Sequence, residues 1–271
     1  MTHRPHRAPT KTPDLRDHIL TDFDALKVPL TPAQFDAALA SAERQGLSHL
    51  EFLHLLIAEQ ANLRRERSIA HRLREARFRE PKTLATFDWE FNRTINRAQI
   101  EELAAAEFVR RHDNLVLVGQ SGVGKSFLVQ AIGQSACVTG QRVRYTTSAD
   151  LLKDLTASLA DQTLPRRVRY YARFDLLIID EFGFDKIERA EAPQAASLLY
   201  KIIDARGPQR STALVTNVDF EAWGDYLQDP PLATAFLDRI VDGATIVKIK
   251  GKSYRAHRAK PQPKTSKANG K

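Results

Sequence analysis

The sequence has little cysteine and no long apolar run, and each absence excludes a class of protein. Cys137 is the only cysteine, so we interpret it as a small buried residue and exclude an internal disulfide framework. No stretch of about 18 consecutive apolar residues occurs, which excludes a transmembrane helix. The basic segment 1–11 is not followed by an apolar segment and so is not a secretory signal. We expect a cytoplasmic protein with no membrane partner.

Acidic residues are fewer than basic ones. The chain has 41 Lys and Arg against 33 Asp and Glu, which gives a formal net charge of +8. This excess predicts a polyanionic partner, with nucleic acid first, although charge that only maintains solubility is a competing interpretation. The hydrophobic content of 42% is ordinary for a protein with a packed core.

The clearest chemistry lies in eight consecutive residues that read G-x-x-x-x-G-K-S. They are Gly119, Gln120, Ser121, Gly122, Val123, Gly124, Lys125 and Ser126. The apolar run 115–118 before them predicts a strand, and the run 127–132 predicts a helix, as a phosphate-binding loop requires. The glycines allow backbone N–H groups to face phosphates, Lys125 would reach the β- and γ-phosphates, and Ser126 would bind Mg²⁺. A turn that only connects a strand to a helix does not explain the Lys-Ser pair.

A second apolar run, 176–179, ends in two carboxylates. Asp180 would hold the shell of Mg²⁺, and Glu181 would polarise an attacking water molecule. An acidic loop after a strand is the competing interpretation. Asn217 follows another predicted strand and could orient the same water molecule, although strands often end in Thr-Asn for reasons of turn formation.

Strands and helices alternate from residue 115 to residue 249. This pattern predicts an α/β fold with a parallel sheet and helices on both faces. Ligands of such sheets bind beyond the carboxyl ends of the strands, where the loop 119–126, Asp180, Glu181 and Asn217 all fall. We therefore expect these residues to form one site.

The first part of the chain predicts a small helical domain over residues 20–80, after a disordered basic arm over 1–19. Thr31 can cap a helix, Gln34 completes a capping box, and Gly46 ends the helix. Ser48 and Glu51, three residues apart, begin a longer helix in the same way.

The second half of this longer helix is rich in arginine, and so is the segment 165–173. The candidate DNA contacts are Arg64, Arg65, Arg67, Arg72, Arg74, Arg166, Arg167 and Arg169. The helix could instead be a docking face for a protein. In the segment 165–173, arginines and tyrosines could bind nucleic acid by charge and stacking, or the tyrosines could face inward.

Between these regions, aromatic residues occupy every second position at Phe87, Trp89 and Phe91, which fits a short strand or an extended linker. These aromatic rings could pack on an adenine ring or in the core. Residues 97–108 predict one amphipathic helix.

The motifs V-R-Y-T-T-S-A-D-L, L-L-I-I-D-E-F-G, V-T-N, L-D-R-I and G-K-S-Y-R follow the phosphate-binding loop in this order. Together they resemble the IstB-like ATP-binding proteins, which are transposition helper ATPases of the AAA+ class related to DnaC-type helicase loaders. The resemblance runs from about residue 26 to residue 255. It implies a P-loop NTPase domain over 81–255 with a five-stranded parallel sheet in the order 5-1-4-3-2. It also implies ATP and Mg²⁺ as cofactors.

The resemblance implies roles for individual residues. Lys125 and Ser126 bind phosphate and Mg²⁺, and Asp180 binds Mg²⁺. Glu181 is the catalytic base and Asn217 the first sensor. Arg239 matches the arginine that a neighbouring subunit inserts at the γ-phosphate, although an ion pair with a nearby carboxylate would also explain it.

The sequence departs from the family in four respects. The phosphate loop has Gln-Ser-Gly-Val where Pro-Pro-Gly-Thr is frequent, Val215 replaces Thr or Ser, and Lys252 stands where Glu is frequent. The chain after the fifth strand is also too short for a helical lid, and we expect a disordered basic tail over 256–271.

The expected activity is Mg²⁺-dependent ATP hydrolysis, stimulated by self-assembly and by duplex DNA. The expected function is that of a transposition helper and target-selection regulator for an IstA-like transposase. A DnaC-like replicative helicase loader that prefers single strands is the alternative. A metabolic nucleotide kinase is less favoured, because adjacent Asp180 and Glu181 suit activation of water rather than transfer to a small acceptor.

Overall fold

The computed structural model describes residues 14–183, 194–227 and 229–258, in two compact units that divide between Ser68 and Ile69. No helix within these ranges has the length and apolarity needed to cross a lipid bilayer. Most of the predicted arm 1–19 and of the predicted tail 256–271 lies outside the described residues. The second unit begins earlier than the predicted position 81.

The described part of the first unit is helical. Its helices are α1 (Leu15–Ala25), α2 (Pro32–Gln45) and the first part of α3 (His49–Ala76). Helix α1 starts inside the segment predicted to be a disordered arm, so that prediction is wrong from residue 15. The reason is a tertiary contact: the guanidinium of Arg16 donates two hydrogen bonds of 2.7 Å to the carboxylate of Asp36 on α2.

Both predicted capping boxes are confirmed. The backbone N–H of Gln34 donates to Oγ1 of Thr31, and the backbone N–H of Thr31 donates to Oε1 of Gln34 at 3.0 Å. At the start of α3, the backbone N–H of Ser48 donates to Oε2 of Glu51 at 2.8 Å. Local sequence therefore defines where these two helices begin.

The second unit contains a parallel five-stranded sheet in the order β2-β3-β4-β1-β5, which confirms the predicted order read from the other edge. The strands are β1 (Leu115–Gly119), β2 (Val143–Thr147), β3 (Leu176–Phe182), β4 (Ser211–Thr216) and β5 (Thr245–Ile249). In the register of the central strand, Leu117 pairs with Val215 on β4 and Val247 on β5.

Helices cover both faces of the sheet. The described ones are α4 (Arg97–Ala104), α5 (Glu107–Arg110), α6 (Lys125–Val138), α7 (Ser148–Ala160), α8 (Leu164–Ala172), α9 (Ala195–Arg206), α10 (Trp223–Leu227), α11 (Pro230–Val241) and α12 (Tyr254–Arg258). Side chains of β1 alternate between two apolar cores. Leu117 lies in the same core as Leu128, and Val116 lies in the other core, which also contains Trp223 and Phe236.

Two local predictions need correction, and for a third segment the structure decides between the two alternatives that the sequence left open. The expected helix 97–108 is broken at Ala106, whose left-handed φ of 61° redirects the chain so that Phe108 is buried. The segment around Phe87 is a linker with a short 3₁₀ helix (Leu84–Thr86), not a strand. Helix α12 shows that residues 256–258 are ordered, because its start is hydrogen-bonded to the phosphate loop.

Candidate nucleotide-binding site

A cleft of about 620 Å³ opens at the carboxyl ends of the central strands, as predicted for a parallel sheet. Small-molecule sites have volumes of about 300–1,000 Å³. The cleft brings together most of the predicted site residues, namely Ser121, Gly122, Val123, Gly124, Lys125, Ser126, Asp180, Glu181 and Asn217. They come from three elements that are distant in sequence.

The phosphate loop leads from β1 into α6 through glycines that other residues could not replace. Gly124 has a φ of 105° at the start of α6. A Cβ atom on Gly119 would lie 2.1 Å from the carbonyl oxygen of Ile249 on β5. The N-terminus of a helix carries unsatisfied N–H groups and a positive dipole, so this arrangement favours a phosphate group.

The ammonium of Lys125 donates to the carbonyl oxygens of Gly119 and Gln120, at 2.5 and 2.8 Å. Burial lowers the pKa of Lys125, the charge of Asp180 raises it, and the charge of Arg255 lowers it further, with a net decrease. A polyphosphate in the cleft would favour the charged ammonium, because an adjacent anion raises the pKa of a cation.

Asp180 is almost fully buried and accepts three hydrogen bonds. The donors are the hydroxyl of Ser126 at 3.1 Å, the hydroxyl of Tyr145 at 2.8 Å and the backbone N–H of Glu181 at 2.8 Å. Burial, and then the charge of Asp180, raise the pKa of Tyr145. Tyr145 therefore stays protonated and keeps donating to this carboxylate.

The oxygens of Ser126 and Asp180 fit a magnesium ion. Octahedral Mg²⁺ has bonds of about 2.1 Å, which separates adjacent ligand atoms by about 3.0 Å, close to the observed 3.1 Å. The described residues form no cluster of three or more His, Cys, Asp or Glu suited to a metal ion. The other ligands would be water and phosphate oxygens, which Mg²⁺ commonly keeps.

Glu181 lies at an irregularity of β3. The register against β4 shifts between Ile179 and Phe182, and Glu181 has a left-handed φ of 59°. Such bulges change the direction of a side chain and occur frequently beside active sites. The carboxylate of Glu181 lines the cleft and accepts a hydrogen bond of 3.0 Å from Nη1 of Arg79.

Asn217 directly follows β4 and is exposed at the cleft. The preceding residue, Thr216, donates its hydroxyl to the carbonyl oxygen of Phe182 at 2.9 Å. This bond connects the end of β4 to the end of β3, so that Asn217 and Glu181 line the same cleft.

The sequence did not indicate that Arg79, Tyr145 and Arg255 lie in this cleft. The backbone N–H of Tyr254 donates to the carbonyl oxygen of Gly122 at 2.9 Å, which holds α12 against the phosphate loop. Arg255 forms no ion pair with any described residue. The motif G-K-S-Y-R contains it, but only the folded chain shows that this arginine reaches the cleft.

Arg239 does not line the cleft of its own chain. Its Nη2 lies 3.2 Å from Oδ1 of Asp204, and both side chains are half exposed. Arg239 therefore forms an ion pair within the chain, which is the competing explanation that the sequence analysis gave for this arginine. The predicted role of Arg239 toward a neighbouring subunit stays a prediction.

The arginines predicted to bind DNA differ in their surroundings. Those that are exposed and form no ion pair in the described part of the chain are Arg64, Arg65, Arg67, Arg74, Arg166 and Arg169. Arg72 is half buried and donates to the carbonyl oxygen of Cys137 at 2.7 Å, so we no longer include it among the DNA contacts. Nη2 of Arg167 lies 3.2 Å from Oδ1 of Asp154, so Arg167 already forms an ion pair within the chain and is also left out of the proposed DNA contacts.

The tyrosines of the segment 165–173 face inward. Tyr171 is buried and donates its hydroxyl to Asp154 at 2.8 Å. The ring of Tyr170 lies under the guanidinium groups of Arg144, Arg167 and Arg173. These contacts favour the interpretation in which the tyrosines face inward, because both side chains contact groups of the chain itself.

Comparisons with known proteins agree with this geometry. The family model described as IstB-like ATP binding protein matches residues 21–262. The chain is 33% identical to a protein of Bacillus thuringiensis subsp. berliner whose name describes an ATP-binding protein of insertion sequence IS232. The match covers 88% of this chain and 93% of that relative. The chain is 35% identical to a Pseudomonas aeruginosa protein whose name describes an ATP-binding protein of insertion sequence IS21. This match covers 81% of the chain and 82% of the relative.

Among solved structures, the crystal structure of DnaI has a TM-score of 0.52 and 22% identity. The match covers 62% of this chain and 90% of that one. This likeness concerns the fold alone.

Proposed function

Since the chain belongs to the family of IstB-like ATP-binding proteins, we propose that it is a Mg²⁺-dependent ATPase that assembles on duplex DNA and acts as a transposition helper for a partner transposase. The observation that supports hydrolysis is the single cleft that holds Lys125, the Ser126–Asp180 pair and Glu181. The names of the relatives, which refer to insertion sequences, support the part in transposition.

The phosphate loop would bind the triphosphate. Backbone N–H groups at the start of α6 and the ammonium of Lys125 provide positive charge, and Lys125 would exchange its loop carbonyls for phosphate oxygens. Ser126 and Asp180 would hold Mg²⁺, which neutralises part of the phosphate charge when bound.

Hydrolysis needs a base and an oriented water molecule. Glu181 would accept the proton as the water oxygen bonds to the γ-phosphorus, and the bond from this phosphorus to the oxygen of ADP breaks. Asn217 would donate to or accept from the same water molecule. Arg239 of a neighbouring copy would leave Asp204 and stabilise the charge on the transferred phosphoryl group, which makes hydrolysis depend on assembly.

The exposed arginines defined above would contact DNA phosphates. Contacts of this kind are independent of sequence and weaken steeply as salt increases. A helicase loader, which the resemblance of the sequence motifs left as the alternative, is distinguished from this function by the preference for duplex or single strands.

The direct test of the ATPase is the variant Glu181→Gln. We expect it to bind ATP as the wild type does and to lower turnover by about 10²–10⁴-fold, because the amide cannot accept the proton. DNA complexes formed with ATP should persist in this variant. Lys125→Ala serves as the comparison and should lose ATP binding itself. Normal turnover by Glu181→Gln would contradict the assignment of the base.

A further inference from the structure

The backbone of Arg239 is attached to the amino end of the sheet. Nδ2 of Asn114 donates to the carbonyl oxygen of Arg239 at 3.0 Å, and Asn114 directly precedes β1. The phosphate loop starts at the opposite end of β1, and a strand of five residues is about 16 Å long. This placement explains why Arg239 does not line the cleft of its own chain. The geometry fits an arginine that acts on the cleft of another copy.

Asn114 fixes this attachment by joining α11 to neighbouring strands of the sheet. Its Oδ1 accepts a hydrogen bond of 2.8 Å from the backbone N–H of Thr212 on β4. Its carbonyl oxygen accepts another of 2.8 Å from the backbone N–H of Thr245 at the start of β5. The last turn of α11 is therefore held to β4 and β5 as well as to β1, and the freedom that Arg239 retains is that of its side chain.

In the single chain, the guanidinium of Arg239 is held by a carboxylate on a neighbouring helix. Nη2 of Arg239 lies 3.2 Å from Oδ1 of Asp204 on α9, and each side chain is 50% exposed. Helices α9 and α11 pack against each other in one apolar core. The ion pair can therefore open by rotation of the two side chains while both helices stay in place. Ion pairs at such exposure are weak, so a stronger anion can displace Asp204.

We infer that Asp204 is a positioning residue that competes with the γ-phosphate in a neighbouring copy for the guanidinium of Arg239. This inference rests on the proposed function, in which Arg239 acts in trans. A guanidinium that reaches into another cleft leaves Asp204, so each contact between copies opens one ion pair. The free energy of opening raises the protein concentration at which copies assemble.

The competition depends on which nucleotide fills the cleft. ATP presents a γ-phosphate, whose negative charge attracts the guanidinium, whereas ADP lacks this group. With ADP, Arg239 stays paired with Asp204 and adds nothing to the contact between copies. Loss of the carboxylate should therefore make assembly easier with ATP and leave assembly with ADP unchanged. A substitution that only disturbed the packing of α9 and α11 would act with both nucleotides.

The test measures how ATP hydrolysis per copy of the full chain rises with protein concentration on duplex DNA, and sizes the complexes formed with ATP and with ADP. We expect Asp204→Asn to reach its half-maximal rate at a protein concentration about two- to fivefold lower than the wild type, the range that suits a half-exposed ion pair. The rate at saturation should be unchanged. Asp204→Glu keeps the charge and should behave as the wild type. Asp204→Ser is a second neutral variant if the asparagine variant does not fold.

Glu101→Gln is the matched control. Glu101 accepts from Nε of Arg97 at 2.7 Å in an exposed ion pair outside the cleft, so its substitution removes the same charge without touching Arg239. A shift of the same size in this variant, no shift in Asp204→Asn, or a shift that is also present with ADP would overturn the inference. A lower rate at saturation would overturn it too, because Asp204 would then direct Arg239 toward the neighbouring cleft.

The outcomes separate this inference from the proposed function. Arg239→Ala and the combined variant Asp204→Asn, Arg239→Ala should be equally slow, since Asp204 acts through Arg239, and a gain in the combined variant would overturn the inference. If Arg239→Ala hydrolyses ATP as fast as the wild type, the role in trans is wrong and the inference fails with it. If Arg239→Ala is slow and Asp204→Asn matches the wild type, the proposed function stands and the inference alone fails.

Discussion

The hydroxyl oxygen of Ser126 lies 3.1 Å from Oδ1 of Asp180, although the two residues are 54 positions apart in the chain. This contact joins the start of α6 to the end of β3. It places two oxygen atoms at about the separation of adjacent ligand atoms around an octahedral magnesium ion. The proposed cofactor chemistry depends on this pair.

The first prediction concerns the metal. Asp180→Asn should remove the gain in ATP affinity that Mg²⁺ gives the wild type, because a neutral amide oxygen is a weaker ligand for a hard cation. The measurement is an ATP titration with Mg²⁺ and with a chelator. Asp154→Asn is the matched control, since Asp154 also accepts from a tyrosine hydroxyl at 2.8 Å but lies outside the cleft. Retention of the full gain in the Asp180 variant would contradict the proposed site.

The second prediction concerns Arg239. Arg239→Ala should bind ATP normally but lower assembly-dependent hydrolysis by about 10³–10⁵-fold, the range observed for arginines inserted from a neighbour. Mixing it with Lys125→Ala should restore part of the activity, because the second protein supplies Arg239 to an intact cleft. A mixture with a chain that carries both substitutions is the control. No recovery in the first mixture would argue against a role in trans.

The third prediction concerns Arg255. Its guanidinium lines the cleft, forms no ion pair in the described ranges and contributes to lowering the pKa of Lys125. Arg255→Ala should weaken ATP binding by about tenfold, the scale of a hydrogen bond to a charged group, and leave adenosine binding unchanged. Lys252→Ala removes the same charge from the same segment, and Lys252 does not line the cleft. An equal effect of the two substitutions would show that only general charge matters.

Local sequence predicts the elements whose signals are contained in a few residues. The capping box of Thr31 and Gln34 is one example, and the strand order of the sheet followed from the family resemblance. The sequence also predicts that Lys125, Asp180 and Asn217 lie close together, because parallel strands end at the same edge of the sheet. The capping box depends on a local pattern, and the shared position of the three site residues depends on a general rule of sheet topology.

The remaining features depend on contacts between distant segments. Nothing near Arg79 indicates that it reaches Glu181, since the two segments meet only through α6 and the bulge of β3. Helix α1 has no hydrogen-bonded N-cap side chain and is joined to α2 through Arg16. The break at Ala106 is also non-local, because the burial of Phe108 favours a left-handed residue that local propensity disfavours.

The central claim is ATP-dependent assembly on duplex DNA. It is tested most directly by sizing the complexes that the full chain forms with labelled duplex or single-stranded DNA, in the presence of ATP, ADP or no nucleotide at low ionic strength. The account predicts large complexes only with duplex DNA and ATP, and their loss as salt is raised. A preference for single strands would favour the helicase loader, and the absence of DNA binding in every nucleotide state would contradict the account.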